Sequence, residues 1–343
     1  MKFSKTITTW YLEHKRDLPW RKTINPYHIW LSEIMLQQTR VAQGLPYYIA
    51  FTSRFPTVFD LANASEEEVL KLWQGLGYYS RARNLHATAK HIAFDLDGIF
   101  PLNFKNLLKL KGVGEYTAAA IASFSYNEVV PVVDGNVYRV LSRYFNVETD
   151  IASAKAKKEF TDLAQEIILK ENPALFNQAI MEFGALQCVP KSPNCGNCVL
   201  NTSCLALSLK KVDKLPLKIK KTKVKHRFLN YLFVLDAENK TQINQRTMKG
   251  IWHNLYEFPL VETEIEESDM TILELINNQN NNIFEIVLMD SETVLHKLSH
   301  QHLHIKFWKI KQNTTFENGL DFERLNTYPF PIVIHNFIAN NKF

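Results

Sequence analysis

The chain has 343 residues, 46% hydrophobic and 22% charged, which is long enough for two domains each with its own core. No apolar run approaches the ~20 residues that span a bilayer, and the opening "MKFSKTITTWYLEHKRDLPW" is charged throughout with no small-residue cleavage site; an amphipathic helix is expected there, not a signal peptide, and a cytoplasmic, reducing setting with no membrane partner. The net charge of +5 hides an asymmetry: residues 1–227 hold 31 basic and 20 acidic residues (+11), residues 228–343 hold 9 and 15 (−6), so the first part suits a polyanion such as nucleic acid.

"PYHIWLSEIMLQQTRV", residues 26–41, predicts a helix on which Glu33 shares a face with Ile29, Trp30 and Leu36. A glutamate in an apolar stripe has its pKa raised and holds a proton near neutrality, so it can serve as a general acid; the plainer reading is an edge residue bonded to an amide or an arginine. "SEEEVLKLWQGL" opens with Ser65 and Glu68 at capping-box spacing. In "GLGYYS", Gly75 and Gly77 frame either a loop free to approach a ligand or a helix end with aromatics in the core. "YSRARNLHATAKHIAFDL" and "SAKAKKEFTDLAQEIILK" repeat apolar residues at helical spacing.

"LKLKGVGEYTAAAIASF" places Gly112-Val113-Gly114 between two helical segments, a tight turn whose amides can face a phosphate. About twenty residues on, "VVPVVDGNVYRVLSRY" brings an apolar run to Asp134 at a helix start. As an N-cap, Asp134 meets backbone amides and the positive end of the helix dipole, which favour the ionised carboxylate. All four cysteines then fall in "CVPKSPNCGNCVLNTSC", as Cys188, Cys195, Cys198 and Cys204. Four thiolates in one short loop suit a tetrahedral zinc or an iron–sulfur cluster, and spacing alone does not choose between them.

"KKVDKLPLKIKKTKVKHR", residues 210–227, holds nine basic residues and one acidic one, either a solvated tether between domains or a phosphate-contacting strap. Periodicity then changes: "RFLNYLFVLDAENKTQINQR" predicts strand, turn and strand, and "LHIKFWKI" alternates as a strand should. A separate α+β domain over 228–343 follows, with an Asn-rich loop at 277–282. Four histidines at 296–304 alternate as in a strand and loop, and no metal is assigned to them.

The order of glycine hairpin, aspartate and four-cysteine loop over residues 20–205 resembles the helix-hairpin-helix, endonuclease III-like DNA glycosylases. "W-x-S-E-x-M-L-Q-Q-T-x-V" narrows the resemblance to the adenine DNA glycosylases, the MutY family. The resemblance implies a mainly helical catalytic region at 1–205 with a [4Fe–4S] cluster on the four cysteines, a basic linker at 206–227, and a small α+β Nudix-like domain at 228–343 that reads the opposite base. It implies that Glu33 protonates adenine, that Asp134 stabilises the sugar cation, and that Tyr116 and Asn136 support that centre. Tyr116 stands where bifunctional relatives carry the lysine of a Schiff base, so hydrolysis leaving an abasic site is expected. The base must be flipped out of the duplex. Gln38, Thr39 and Tyr78, aided by Leu76, are expected to fill the gap and probe the opposite base, with Gly112 and Gly114 on a phosphate. "KGIWHNLYEFPL" resembles the family's Nudix-like stretch but is followed by no R-E-x-x-E-E helix, so pyrophosphatase activity is not expected. In "HKLSHQHLHIKFW", Ser299 matches the serine that contacts 8-oxoguanine, with Leu298 in place of the usual Phe. Two departures follow from this sequence: Lys111 replaces the usual hairpin proline, and Leu298 changes one contact to the oxidised base. The expected partner is double-stranded DNA holding adenine opposite 8-oxoguanine or guanine, bound by a monomer at the nucleoid.

Overall fold

A computed structural model describes residues 2–219, 224–279, 283–289 and 293–341. The chain packs as two compact units: 1–63 together with 84–220, and 64–83 together with 221–343. This division differs from the linear one expected above, because a stretch of the helical half packs with the C-terminal residues.

The first unit is helical. Its elements are α1 (Lys2–His14), α2 (Pro26–Met35), α3 (Val41–Arg54), α4 (Val58–Asn63) and, beyond α5 (Glu66–Leu72) of the other unit, α6 (Ser80–Lys90) from residue 84 on, α7 (Phe104–Leu107), α8 (Glu115–Tyr126), α9 (Gly135–Phe145), α10 (Ala154–Ile167), α11 (Pro173–Leu186) and α12 (Leu205–Ser208). The caps explain where they start. Asn25, Asn103, Asp134, Ser153 and Asn172 each accept a backbone N–H of the first turn, and Pro26 and Pro173 occupy first-turn positions where no N–H is missed. Asn127 and Asn146 end α8 and α9 in the left-handed region. The amphipathic opening is helical as its pattern predicts: Phe3, Ile7, Trp10 and Tyr11 of α1 join Phe160, Phe176 and Phe183 in one core. α2 is buried almost all round, from Tyr27 to Met35.

The basic segment is not a free tether over its first half. Leu215 is 3% exposed and its carbonyl accepts from Arg143 Nε at 3.0 Å, while Leu217 O accepts from Ile151 N at 3.0 Å. Lys211 pairs with Glu148. The buried Leu215 and the half-buried Leu217, between the lysines, hold this stretch to the first unit. Residues 220–223, and 280–282 of the Asn-rich loop, lie outside the described residues.

In the second unit, α5 begins at the expected capping box, with Ser65 Oγ accepting from Glu68 N at 3.1 Å. The strands are β1 (Lys225–Leu235), β2 (Asn244–Gln245), β3 (Tyr256–Glu257), β4 (Leu260–Thr263), β5 (Ile283–Leu288), β6 (Val294–Lys297) and β7 (Gln301–Gln312), with α13 (Asp269–Gln279) and α14 (Ile332–Asn340). β1 lies between β4, antiparallel, and β7, parallel; β5 and β6 both pair antiparallel with β7, and β2 pairs with β3. Period-2 alternation gives the sheet two faces. Leu232, Val234, Trp308 and Ile310 meet Ile272 and Ile276 of α13, whereas on the other face Phe307 stacks on Phe337 of α14 and Phe233 meets it edge-on. The strand expected after the turn at 237–240 shrinks to a bridge at Thr241 and the two residues of β2. The fold is therefore a helical first part followed by a small mixed α+β sheet domain.

Candidate active site

Glu33 projects from the buried α2 and is 5% exposed. Tyr116, the second residue of α8, donates its hydroxyl to Glu33 Oε2 at 2.5 Å. Burial is the main influence on the glutamate and pushes its pKa up to about 7; the Asp134 charge adds to this, and the Tyr116 bond and Arg21 oppose it. Tyr116 is pushed well above its usual value by burial and by the two carboxylates, so its hydroxyl stays protonated.

Asp134 caps α9 as the sequence predicts. Its Oδ1 accepts from Asn136 N and Val137 N, both at 2.8 Å, and its Oδ2 accepts from Asn136 Nδ2 at 2.7 Å. Its electrostatics depart from the expectation in one respect. Burial raises the pKa above the ordinary aspartate value, and the three N–H donations and the Arg139 guanidinium only partly offset it. Every N–H that Asp134 meets is directed at a carboxylate oxygen, so the anion is the form its partners complement.

Glu33, Tyr116, Asp134, Asn136 and Thr39 line one cavity of about 620 Å³, of the size that small-molecule sites occupy. A second cavity, of about 780 Å³, is lined by Tyr116 and Asp134 together with Gln38, Gly114 and Lys157. The two carboxyl groups thus share a chamber, and Gln38 and Gly114 stand at the adjoining one. Gln38 is exposed and has φ 56°, in the left-handed region that a glutamine rarely occupies.

Gly112 has φ +76°, and a Cβ there would come within 2.7 Å of Asn84 Cβ, so the hairpin needs glycine for both reasons. Nothing lies within 4 Å of a Cβ built on Gly114, which leaves that backbone open to close approach. Lys111, the departure from the usual hairpin proline, is exposed, and its carbonyl accepts from Thr88 Oγ1 at 2.6 Å.

Tyr78 and Leu76 belong to the second unit. Tyr78 is 43% exposed with φ 48°, held outward in the left-handed region. Leu76 is 3% exposed, so the expectation that its side chain helps to fill a gap in DNA is corrected: the leucine is packed inside the protein. Ser299, also in the second unit, is exposed on the turn between β6 and β7, with its Oγ 3.2 Å from His300 Nδ1.

Sequence reasoning missed a buried ion cluster in the first cavity. Glu182 of α11 is 1% exposed and accepts from Arg16 Nε and Nη2 at 2.9 and 2.6 Å and from Arg21 Nη1 and Nη2 at 2.8 and 2.6 Å. The two guanidiniums hold its carboxyl down at about 2. The signal was present: Glu182 interrupts an apolar helix just as Glu33 does. Arg139 was also assigned no role. It donates to Asn136 Oδ1 at 2.8 Å, Gly184 O at 2.7 Å and Cys188 O at 2.7 Å, which joins the residue beside Asp134 to the start of the cysteine loop. One turn on, Arg143 donates to Val189 O and Pro190 O.

The four cysteines are unpaired, partly buried, and line one small cavity with Val140, Arg143 and Phe183. Among the described residues no three Cys, His, Asp or Glu side chains converge on a single-ion site. Four thiols lining one cavity are a donor set that suits a zinc ion or an iron–sulfur cluster. Among the described residues no helix is long and apolar enough to cross a membrane.

The chain is similar to known proteins along most of its length. Residues 31–166 match the HhH-GPD superfamily base excision DNA repair protein family, and residues 230–340 match the NUDIX domain family. Over 334 residues the chain is 36% identical to an adenine DNA glycosylase of Buchnera aphidicola subsp. Schizaphis graminum, covering 95% of this chain and 94% of that protein. It is 43% identical over 213 residues to the Homo sapiens adenine DNA glycosylase, covering 60% of this chain and 39% of that one. Among solved structures, a thermostable thymine-DNA glycosylase superposes with a TM-score of 0.55 at 29% identity, covering 60% of this chain and 95% of that one. A non-covalent endonuclease III–DNA complex shares the fold, with a TM-score of 0.53 at 22% identity, covering 61% and 95%. With the two carboxyl groups on one chamber and a relative matched along nearly its whole length, the chain belongs to the adenine DNA glycosylase family.

Proposed function

We propose that this enzyme removes adenine paired with 8-oxoguanine or guanine in double-stranded DNA by acid-assisted hydrolysis, and that it leaves an abasic site without cutting the strand. The observation that carries the reading is the shared chamber of Glu33 and Asp134, with Tyr116 bonded to the glutamate.

A flipped adenine enters this chamber. Tyr116 occupies Glu33 Oε2, which leaves Oε1 to carry the proton that a pKa of about 7 keeps available. Glu33 delivers that proton to N7 of the base. The C1′–N9 bond then breaks with its electron pair going to the base, and adenine departs neutral. Asp134, fixed by Asn136 and the first amides of α9, stabilises the oxocarbenium-like sugar. Water adds at C1′, and its proton passes to a carboxylate of the pair. No amine stands at position 116, and a buried, protonated tyrosine forms no Schiff base, which supports monofunctional chemistry.

Gln38, Thr39 and Tyr78 are proposed to fill the space left in the duplex, Gly112 and Gly114 to meet a phosphate, and Ser299 to contact the opposite base. The strained backbone and exposure of Gln38 and Tyr78, and the exposed turn of Ser299, support these roles. Cys188, Cys195, Cys198 and Cys204 are proposed to hold a [4Fe–4S] cluster, which when bound ties four points of the loop together. Residues 1–205 supply the catalytic region, 206–227 the connection, and 228–343, extended by residues 64–83, the part that recognises the opposite base. The enzyme is proposed to act as a monomer in the cytoplasm at the nucleoid, where unpaired thiols persist.

The test is release of adenine from a duplex bearing adenine opposite 8-oxoguanine, followed with and without alkali. Wild type is expected to give strand breaks only after alkali, and Glu33→Gln and Asp134→Asn each to lose at least ~100-fold in rate. Near-normal turnover in either variant removes that residue from the mechanism; breaks without alkali remove the monofunctional reading.

A further inference from the structure

Residues 64–83 lie among the helical elements in sequence, yet they are fastened within the second unit. Glu66 Oε1 accepts from Asn254 Nδ2 at 2.6 Å, and Arg83 Nη1 donates to His253 O at 2.7 Å. Lys71 Nζ donates to Tyr328 O at 3.0 Å, Gln74 Oε1 accepts from Phe330 N at 3.4 Å, and Tyr79 OH donates to Phe330 O at 3.3 Å while accepting from Gly75 N at 3.3 Å. The loop between these ties is braced internally. Trp73 Nε1 and Arg81 Nη2 both donate to Gly77 O at 3.0 Å, and the Arg81 guanidinium lies 5.3 Å from the Trp73 ring and 5.4 Å from that of Tyr78.

The anchoring stretch 252–256 is itself joined to the strand that leads to Ser299. Trp252 is buried with φ 60°, a rare backbone conformation for a bulky residue, and its ring lies 5.9 Å from that of His296 on β6. Tyr256 N donates to Pro329 O at 2.9 Å, which closes the same stretch onto the segment that Lys71, Gln74 and Tyr79 hold. Two residues beyond the end of β6 comes Ser299. An unbroken run of contacts therefore joins the Ser299 turn to the loop that presents Tyr78.

We propose that Tyr78 and Ser299 belong to one mechanically coupled reading head, so that the base met by Ser299 governs how Tyr78 is placed in the duplex. Tyr79, Arg83 and Asn254 are its positioning residues. The proposal rests on the reading of Tyr78 and Ser299 as DNA contacts. It predicts that the two side chains are energetically coupled, and that the coupling passes through ties that touch no DNA.

A double-mutant cycle on the full chain tests it. Single-turnover rates of adenine release are measured on duplexes with 8-oxoguanine or guanine opposite the adenine, for wild type, Tyr78→Ala, Ser299→Ala and the double variant. The four are then repeated with two of the five ties removed by Tyr79→Phe together with Asn254→Ala. In the intact protein the rate loss of the double variant on the 8-oxoguanine duplex is expected to fall short of the product of the single losses by at least ~5-fold. With these two ties removed the shortfall is expected to shrink, so that the losses come closer to multiplying. Tyr79→Phe alone, which removes one hydroxyl and keeps the ring, serves where the paired substitution lowers the melting temperature. Multiplying losses in the intact protein, or coupling undiminished by removal of the two ties, overturns the proposal. Wild-type rates in Tyr78→Ala overturn the underlying assignment of Tyr78, an outcome distinct from losses in both single variants without coupling.

Discussion

At the scale of single residues, two buried carboxyl groups line one chamber, and burial raises the pKa of both. Glu33 reaches a pKa of about 7 because α2 buries it, whereas Asp134 is surrounded by N–H donors. The sign for Glu33 is definite. An acid that must be protonated loses activity as pH rises through its pKa, so single-turnover rates are expected to fall as pH rises through about 7. The same shift bears on stability. Between an unfolded value near ~4.3 and the folded value of about 7, the folded protein holds a proton that the unfolded chain releases, so stability falls as pH rises across that window. Glu33→Gln, which is uncharged throughout, is therefore expected to be more stable than wild type at pH 8, by up to about 3 kcal/mol, with the gap closing toward pH 5. Denaturant melts at the two pH values check this, and a variant less stable than wild type at pH 8 contradicts the buried, proton-holding glutamate. Glu33 was legible in the sequence because a carboxylate in an apolar stripe is a local anomaly. Glu182 carries the same anomaly, but its partners Arg16 and Arg21 lie more than 150 residues away, and no local spacing pairs them.

At the scale of elements, the position of Asp134 depends on how closely α9 and α11 approach. A Cβ on Gly184 would come within 2.7 Å of Asn136 Cβ and 2.9 Å of its carbonyl oxygen, too close without movement. Gly184→Ala is expected to cost about 1–3 kcal/mol, by the overpacking that forces helices apart. It is also expected to slow adenine release, because Asn136 donates to Asp134 Oδ2. Thermal unfolding and single-turnover rates measure the two effects, and an alanine variant with wild-type values of both removes the close approach from the account. The start of α9 was legible because Asp134 is a strong cap. The anchoring of the basic segment was not: Leu215 and Leu217 are two leucines among lysines, and only the presence of Arg143 and Ile151 beside them makes them anchors.

At the scale of the whole molecule, the cysteine loop and the carboxylate pair are joined through α9, with Arg139 and Arg143 holding the carbonyls of Cys188, Val189 and Pro190. If the four thiols hold a [4Fe–4S] cluster, the purified protein is yellow-brown with four irons per chain. Cys198→Ser is then expected to lose the colour and to become sensitive to proteolysis between 188 and 204, since the loop has little apolar burial of its own beyond Leu200. A colourless wild type with one zinc per chain contradicts the cluster. The sequence by itself determined the chemistry available here: which residues can hold metal, which carboxylate lies in an apolar stripe, where helices begin, and where the strand period starts. These are short-range properties, written in spacings of a few residues. Only the tertiary structure decided that Glu33 and Asp134 share a chamber, that Glu182 is held by two arginines, and that residues 64–83 pack with the C-terminal part. Those facts depend on which distant surfaces bury one another, and burial is settled by the packing of the whole chain rather than by any local pattern.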